Sequence, residues 1–235
     1  GSATKSADKY DLNNNGRTDD QGAYGSSDAT IIAAQSIFAE KFIAPAGSES
    51  WNKQGLSLKT GDSFDYLLKV TNETSASHTG LTVYDTLPRP GDQNILGNAS
   101  RGSEFAVTLR QAFTPPEGYT VLYTTSSDVY EKPMDEMIAA DIWTDTISDY
   151  ASVTAFKIVA QEGTVLAGHS TLQVRIPAQT PSQLDAASME ILHQKPDYDQ
   201  STGTASHLDA VNSFGFKTDL APSVKESNAV WARLP

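Results

Sequence analysis

Three polar side chains fall where an alternating apolar pattern leaves no room for them. In LTVYDTLP, residues 81–88, strand alternation puts Leu81, Val83, Asp85 and Leu87 on one face, so a carboxylate points the same way as the apolar residues. In AQSIFAEKFIA, Ile37, Ala39, Lys41 and Ile43 share a face that Lys41 interrupts. In SHLDAVNSFGFK, Leu208, Ala210, Asn212, Phe214 and Phe216 share another, interrupted by Asn212. A lone buried charge costs several kcal/mol, so the three are easiest to understand if they meet. Burial lowers a lysine pKa and raises that of an aspartate, which lets a neutral amine and a protonated carboxyl coexist near neutral pH. Such an amine is a nucleophile, such a carboxyl handles protons, and a side-chain amide is an acyl group with ammonia to lose.

Each residue also has a plainer reading. Lys41 can snorkel at a strand edge, Asp85 can cap the turn before Thr86-Leu87-Pro88, and Asn212 can bond local backbone. Asn228 in KESNAVWARL is the rival amide and Asp65 the rival acid. Lys69 is the rival amine, although alternation in GDSFDYLLKVTN puts it with Asp65, opposite Phe64, Tyr66, Leu68 and Val70.

The elements that would position these groups are strands. Runs of aromatic and β-branched residues, punctuated by 16 Gly and 11 Pro, predict strands at 104–112, 119–125, 152–160, 170–178, 206–217 and 228–234, besides those already quoted. The spacing is that of an all-β sandwich. One segment, KPMDEMIAADIWTD (132–145), has the period of a short helix, with Pro133 tolerated in its first turn, and reads as a crossover between strands. Residues 1–30 read as a polar N-terminal segment and 31–235 as the sandwich domain.

The chain has 235 residues, 38% of them hydrophobic, enough to bury a real core. Seventeen basic against 29 acidic residues give a net charge of −12 with no basic stripe, which argues against nucleic acid and anionic membrane as partners. With no cysteine, neither disulfides nor thiolate–metal sites can brace the fold. No run approaches the ~20 apolar residues that span a bilayer. The leading Gly1-Ser2 reads as a cloning scar, and no signal peptide or wall-sorting signal is visible, so the chain reads as an excised fragment.

GDSFDYLLKVTN followed by GLTVYDTLPRPGD resembles a repeat of bacterial cell-surface proteins, in which a G-D-x-x-x-Y-x-x-x-V-T-N strand precedes a V-x-D-x-L-P strand. SVTAFKIVAQEGTVLAGHSTLQVRIPAQTP and DAVNSFGFKT resemble later strands of Gram-positive wall-anchored adhesins and pilin-like shafts, so the likeness covers roughly residues 36–235. The resemblance implies an immunoglobulin-like or CnaA-like β-sandwich, often in tandem, serving as a non-enzymatic stalk or adhesive module. It also implies a spontaneous Lys–Asn isopeptide bond assisted by a buried acid, for which Lys41, Asn212 and Asp85 are the matching residues, needing no cofactor. Such a bond would close a loop of about 170 residues, worth roughly 5 kcal/mol by the chain-entropy formula for disulfides. The implied setting is extracellular and cell-wall-anchored through regions outside this chain. The implied partners are adjacent repeats and a protein or glycan on a host or neighbouring cell.

Two other classes compete. A carbohydrate-binding module would need exposed aromatics on one face, and Trp51, Trp143 and Trp231 are dispersed in sequence. A secreted hydrolase would need paired acids in a cleft, and Asp141 and Asp145 read instead as a solvated helix face. GHSTL (168–172) lacks the last glycine of a nucleophile elbow. His78, His169, His193 and His207 have no ligand spacing and are expected to be exposed. The sequons at Asn72 and Asn98 read as coincidence in a bacterial chain.

DLNNNGRTDD (11–20) has the spacing of a calcium loop: Asp11, Asn13 and Asn15 at positions 1, 3 and 5, the Arg17 carbonyl at 7 and Asp19 at 9. Position 12 is Gly22 instead of a bidentate Glu, which leaves Asp20 as substitute and predicts a weak Ca2+ site. Calorimetric titration with calcium should release heat on the wild type and none on Asp11→Ala; equal heats on both would discard the site.

Overall fold

The computed structural model describes residues 36–235, so the calcium-type loop at Asp11–Asp19 lies outside the described residues. Of the described residues, Ser36, Ile37 and Glu73–Ser75 fall in one unit, and Phe38–Asn72 with Ala76–Pro235 in another; apart from Ile37, the elements below belong to the second.

Two sheets form the sandwich. The first has the order β1 (Ile37–Pro45), β3 (Ser63–Asn72), β10 (Ser170–Gln179), β6 (Thr108–Leu109). Its spine is the β3–β10 ladder, antiparallel in unbroken register from Asn72↔Ser170 to Ser63↔Gln179. The second has the order β13 (Lys225–Glu226), β12 (Phe214–Lys217), β5 (Thr82–Thr86), β8 (Ala155–Ala160), β7 (Tyr119–Thr124). Early strands β1 and β3 with late β10 on one side, and β5 with the last strands on the other, is the partition of an immunoglobulin-like sandwich. A three-stranded sheet, β11 (Leu208–Asn212), β14 (Val230–Leu234), β2 (Gly55–Ser57), ends in a parallel pairing of β14 with β2. A two-stranded ladder joins β4 (His78–Thr79) to β9 (Val165–Leu166).

Register decides what surrounds Asp85. Residues directly opposite in antiparallel strands share a face. Asp85 lies between Phe214 on one side and Phe156 on the other, and Val83 between Phe216 and Ile158, all buried. The opposite face of β5 is buried too, because the segment between β7 and β8 folds over it. Tyr84 packs with Ile95, Val129, Tyr130, Met134, Met137 and Ala155. This third layer contains α1 (Met134–Ala139), shorter than the predicted 132–145. The helix stops because Ala140 turns to extended backbone and the Trp143 indole folds back to donate to the Met137 carbonyl at 3.0 Å.

Three segments differ from the sequence expectation. The predicted strand 104–112 keeps its alternation, with Phe105, Val107 and Leu109 buried, but pairs only at β6. Its other amides go to separate partners, Glu104 to the Asp209 carbonyl, Val107 to Pro88 and Arg110 to Pro177. The single strand expected over 206–217 changes partner at Ser213: β11 pairs with β14, and β12 with β5 and β13. A second helix, α2 (Ala186–His193), joins the one expected; the Asp185 carboxylate caps it by accepting from the Ser188 amide at 2.8 Å.

The third layer lies close against β12 at Gly215, where an added Cβ would stand 2.5 Å from Ile95 Cγ2 and 3.0 Å from Met134 Sδ. Overpacking of this kind costs about 1–3 kcal/mol. Gly215→Ala should therefore lower the melting temperature by several degrees in a calorimetric scan; an unchanged melt would show that the layer yields freely.

Candidate functional site

Lys41, Asp85 and Asn212 come from three different sheets and meet in the core, with relative exposures of 0%, 1% and 0%. The Lys41 ammonium nitrogen lies 2.5 Å from Asp85 Oδ2. The other carboxylate oxygen, Oδ1, accepts from Asn212 Nδ2 at 3.2 Å. One carboxylate thus touches both the amine and the amide, residues 171 positions apart in the chain.

Each side chain is delivered by its backbone. Lys41 sits on β1, which Asn228 clamps: Lys41 N donates to Asn228 Oδ1 at 2.8 Å, and Asn228 Nδ2 donates to the Lys41 carbonyl at 3.0 Å. Asn228 therefore holds the main chain of Lys41, with its oxygen and nitrogen both engaged. Asn212 ends β11, where the chain crosses from the three-stranded sheet to the second sheet. Its Nδ2 also donates to the Thr86 carbonyl at 2.9 Å, while its Oδ1 is buried without a hydrogen-bond partner. The sequence reading anticipated Asp85 on the amide oxygen; the geometry puts Asp85 on the amide nitrogen, which donates to Thr86 O and to Asp85 Oδ1.

The surroundings are aromatic. The Lys41 ammonium is 4.3 Å from the centroid of the Tyr66 ring and 6.0 Å from that of Phe214, so the side chain crosses between the two sheets. Burial drives the Lys41 pKa from the ordinary 10.5 down to about 8; Asp85 opposes the shift by charge and hydrogen bond, and the Arg101 cation reinforces it. Tyr66 is pushed well above the usual phenol range, first by burial and then by the Asp85 charge.

The rivals lie elsewhere. Asp65 is buried but accepts from the Gly47 amide at 2.9 Å, Arg110 at 2.9 Å and Arg175 at 2.7 Å. These bonds outweigh the opposing effect of burial and hold its carboxyl below the usual range. Lys69 is half-buried beside the Phe42 ring. His78 is buried against the Thr218 hydroxyl at 2.6 Å, contrary to the expected exposure, because its strand is covered by the chain that follows β12. His169 and His193 are exposed and His207 is half-buried. Asp141 and Asp145 are exposed, beyond the end of α1.

Sequence reasoning missed Arg101 and Asp92, a buried ion pair at 2.9 Å beside the site. Both stand in the turn-rich stretch PGDQNILGNASRGSE, where no periodicity marks a residue as inward.

No protein-family model and no curated protein matches the chain. Among solved structures, the chain is similar to BcpA, the major pilin subunit of Bacillus cereus, at 14% identity and a TM-score of 0.39 over 84% of this chain and 40% of that one. It is similar to a type I cohesin–dockerin complex from Clostridium thermocellum at 9% identity and a TM-score of 0.40, covering 84% of this chain and 93% of that one. The C-terminal domain of the Streptococcus pyogenes antigen I/II-family protein AspA matches at 11% identity and a TM-score of 0.39, covering 83% and 46%. The chain spans less than half of the BcpA and AspA chains that it matches.

A folded pKa of about 8 against an ordinary 10.5 means that, between those values, the unfolded chain holds a proton on Lys41 that the folded chain has released. Unfolding free energy therefore rises with pH across that window, and below it the cost of burying the ammonium is fully present. In Asn212→Ala, which keeps Lys41 as a free amine, stability should climb by up to about 2 kcal/mol between pH 8 and 9.5, below the range where tyrosines titrate. Adding Lys41→Met should remove the climb; urea unfolding at each pH measures it, and a flat profile in Asn212→Ala would refute the assignment.

Proposed function

We propose that this chain is a non-enzymatic stalk or adhesive domain of a bacterial surface protein that welds its own core with a Lys41–Asn212 amide. The observation that carries the reading is the single buried carboxylate touching both amine and amide, in a core without cysteine.

The chemistry follows from the contacts. Asp85 Oδ2 takes a proton from the Lys41 ammonium, which burial has already weakened as a charged species. The neutral amine attacks Asn212 Cγ, and the carbonyl oxygen, held by no partner in the resting state, takes the developing negative charge. Asp85 Oδ1 faces the amide nitrogen, so the same carboxyl can return the proton to the group that leaves. The C–N bond to Lys41 forms, the bond to Nδ2 breaks, and ammonia departs. One proton of the original ammonium remains, either on Asp85 or carried off as ammonium ion. The reaction runs once per chain and needs no cofactor.

The product would tie β1, on the first sheet, to the end of β11, near the C-terminal strands. Tension entering at both ends would then bypass most of the strands between them. This suits an extracellular module working in series with neighbouring repeats and presenting a surface to another cell. A sugar-binding role has less support. Trp51, Trp143 and Trp231 are half-buried, and each is covered by a cation of this chain: Arg175 at 4.5 Å, Lys157 at 4.9 Å and Arg233 at 4.1 Å from the ring centroids.

Intact mass of the denatured wild type should fall short of the calculated value by one ammonia. Lys41→Ala, Asp85→Ala and Asn212→Ala should each show their full calculated masses. A wild type of full mass would remove the cross-link.

A further inference from the structure

Beside the three reacting groups lies a second charged cluster that the chemistry above does not use. Arg101, in the loop between β5 and β6, has a side chain only 3% exposed. Its Nε donates to Asp92 Oδ2 at 3.0 Å, and Nη2 lies 2.9 Å from the same oxygen. Asp92 is held in turn by Ser103, whose hydroxyl donates to Oδ2 at 2.7 Å and whose amide donates to Oδ1 at 3.2 Å. The Ser103 hydroxyl oxygen accepts from the Val211 amide at 3.0 Å, anchoring the loop to the strand that carries Asn212.

The rest of the guanidinium reaches two main-chain carbonyls. Nη2 donates to Thr86 O at 2.8 Å and Nη1 to Ser213 O at 3.3 Å. Thr86 directly follows Asp85, and Ser213 directly follows Asn212. Thr86 O is also the oxygen that receives Asn212 Nδ2, so the guanidinium and the amide share an acceptor. One planar cation therefore fastens the backbone just after the acid to the backbone just after the amide, at the residue where the chain leaves β11 for β12. A buried ion pair is seldom needed for stability, since apolar residues of similar volume commonly serve as well or better. A fork with several fixed donors is what two carbonyls from separate segments of the chain require, and a lysine has no such fork.

We propose that Arg101, oriented by Asp92, is a positioning residue for cross-link formation: it locks Asp85 and Asn212 face to face by holding the carbonyls of Thr86 and Ser213. This rests on the cross-link reading and adds to it a residue that touches none of the reacting atoms. Its charge has a second effect. The charges acting on Lys41 are Asp85 from β5 and Arg101, paired with Asp92, from the loop; Tyr66 of β3 presents its ring face, and Asn212 and Phe214 do not titrate. Of these, Asp85 favours the ammonium and Arg101 disfavours it, so the guanidinium also helps Lys41 reach its reactive neutral form.

The test follows the bond as it forms. The full chain is made in a short cell-free pulse, exchanged into buffers of different pH, and sampled into denaturant for intact mass. Wild type is compared with Arg101→Lys and with Arg101→Met/Asp92→Leu, the latter leaving no buried charge unpaired. Circular dichroism confirms the fold of each. The double variant should cross-link about tenfold more slowly or worse, as misplaced reacting groups do, and its half-maximal rate should move to higher pH. Arg101→Lys should also be slow but keep the wild-type pH midpoint, because it retains the charge and loses the fork. Wild-type rates and an unchanged pH profile in both variants would overturn the proposal while leaving the cross-link intact. Should the double variant fail to fold, Arg101→Lys decides alone, and wild-type speed there overturns it. A wild type that keeps its full mass at every time point overturns the cross-link reading itself, and this proposal with it.

Discussion

An ammonium group and a carboxylate held in contact between aromatic rings, away from water, set the terms for the rest of this structure. Taking each ion out of water costs several kcal/mol, and the attraction between them offsets that only when the remaining hydrogen-bonding capacity is filled. Here it is filled in part. Lys41 reaches Asp85 and the face of Tyr66, while Asn212 Oδ1 and the Tyr66 hydroxyl are buried without partners. As a device for stability alone, this arrangement compares poorly with a cluster of leucines. The cross-link proposed above would consume the amine and remove its charge from the core.

The architecture keeps the Lys41, Asp85 and Asn212 side chains buried and aligned. Sheet one supplies the amine, sheet two the acid, and the strand that changes sheets supplies the amide. The third layer, built by α1 and the segments around it, covers the far face of β5, so the acid-bearing strand is buried on both sides. In the proposed cross-link both reacting groups belong to one chain, so alignment of this kind is what would set its rate.

Asp65 and Asp85 show how the same residue type takes different surroundings in one sandwich. Both are about 1% exposed. Asp65 is surrounded by two guanidinium groups and a backbone amide, which fix it as an anion and leave no proton to move. Asp85 faces one titratable amine on one oxygen and one amide nitrogen on the other, the contacts on which the proposed proton transfers rest. The number and pKa of the neighbours, more than burial itself, separate a structural carboxylate from one that can do chemistry.

Period-two alternation alone was enough to predict that Lys41, Asp85 and Asn212 share the apolar faces of their strands, and to mark 104–112 as extended chain. Side-chain direction along an extended chain is a local property, fixed by the pleat. Hydrogen-bond partners are not local. That is why 104–112 kept its inward residues yet lost its ladder, and why 206–217 kept one apolar face while exchanging partners at Ser213. Helix α2 carried a readable signal in the Asp185 cap, but its weak apolar period hid it. Arg101 and Asp92 were illegible, since a loop has no repeating geometry to say which residue turns inward. Only the packed structure decided that the three inward residues share one carboxylate, that the acid faces the amide nitrogen, and that a guanidinium joins the two backbones. Those facts depend on contacts between residues from 15 to 127 positions apart, across different strands and loops, and no local pattern encodes such pairings.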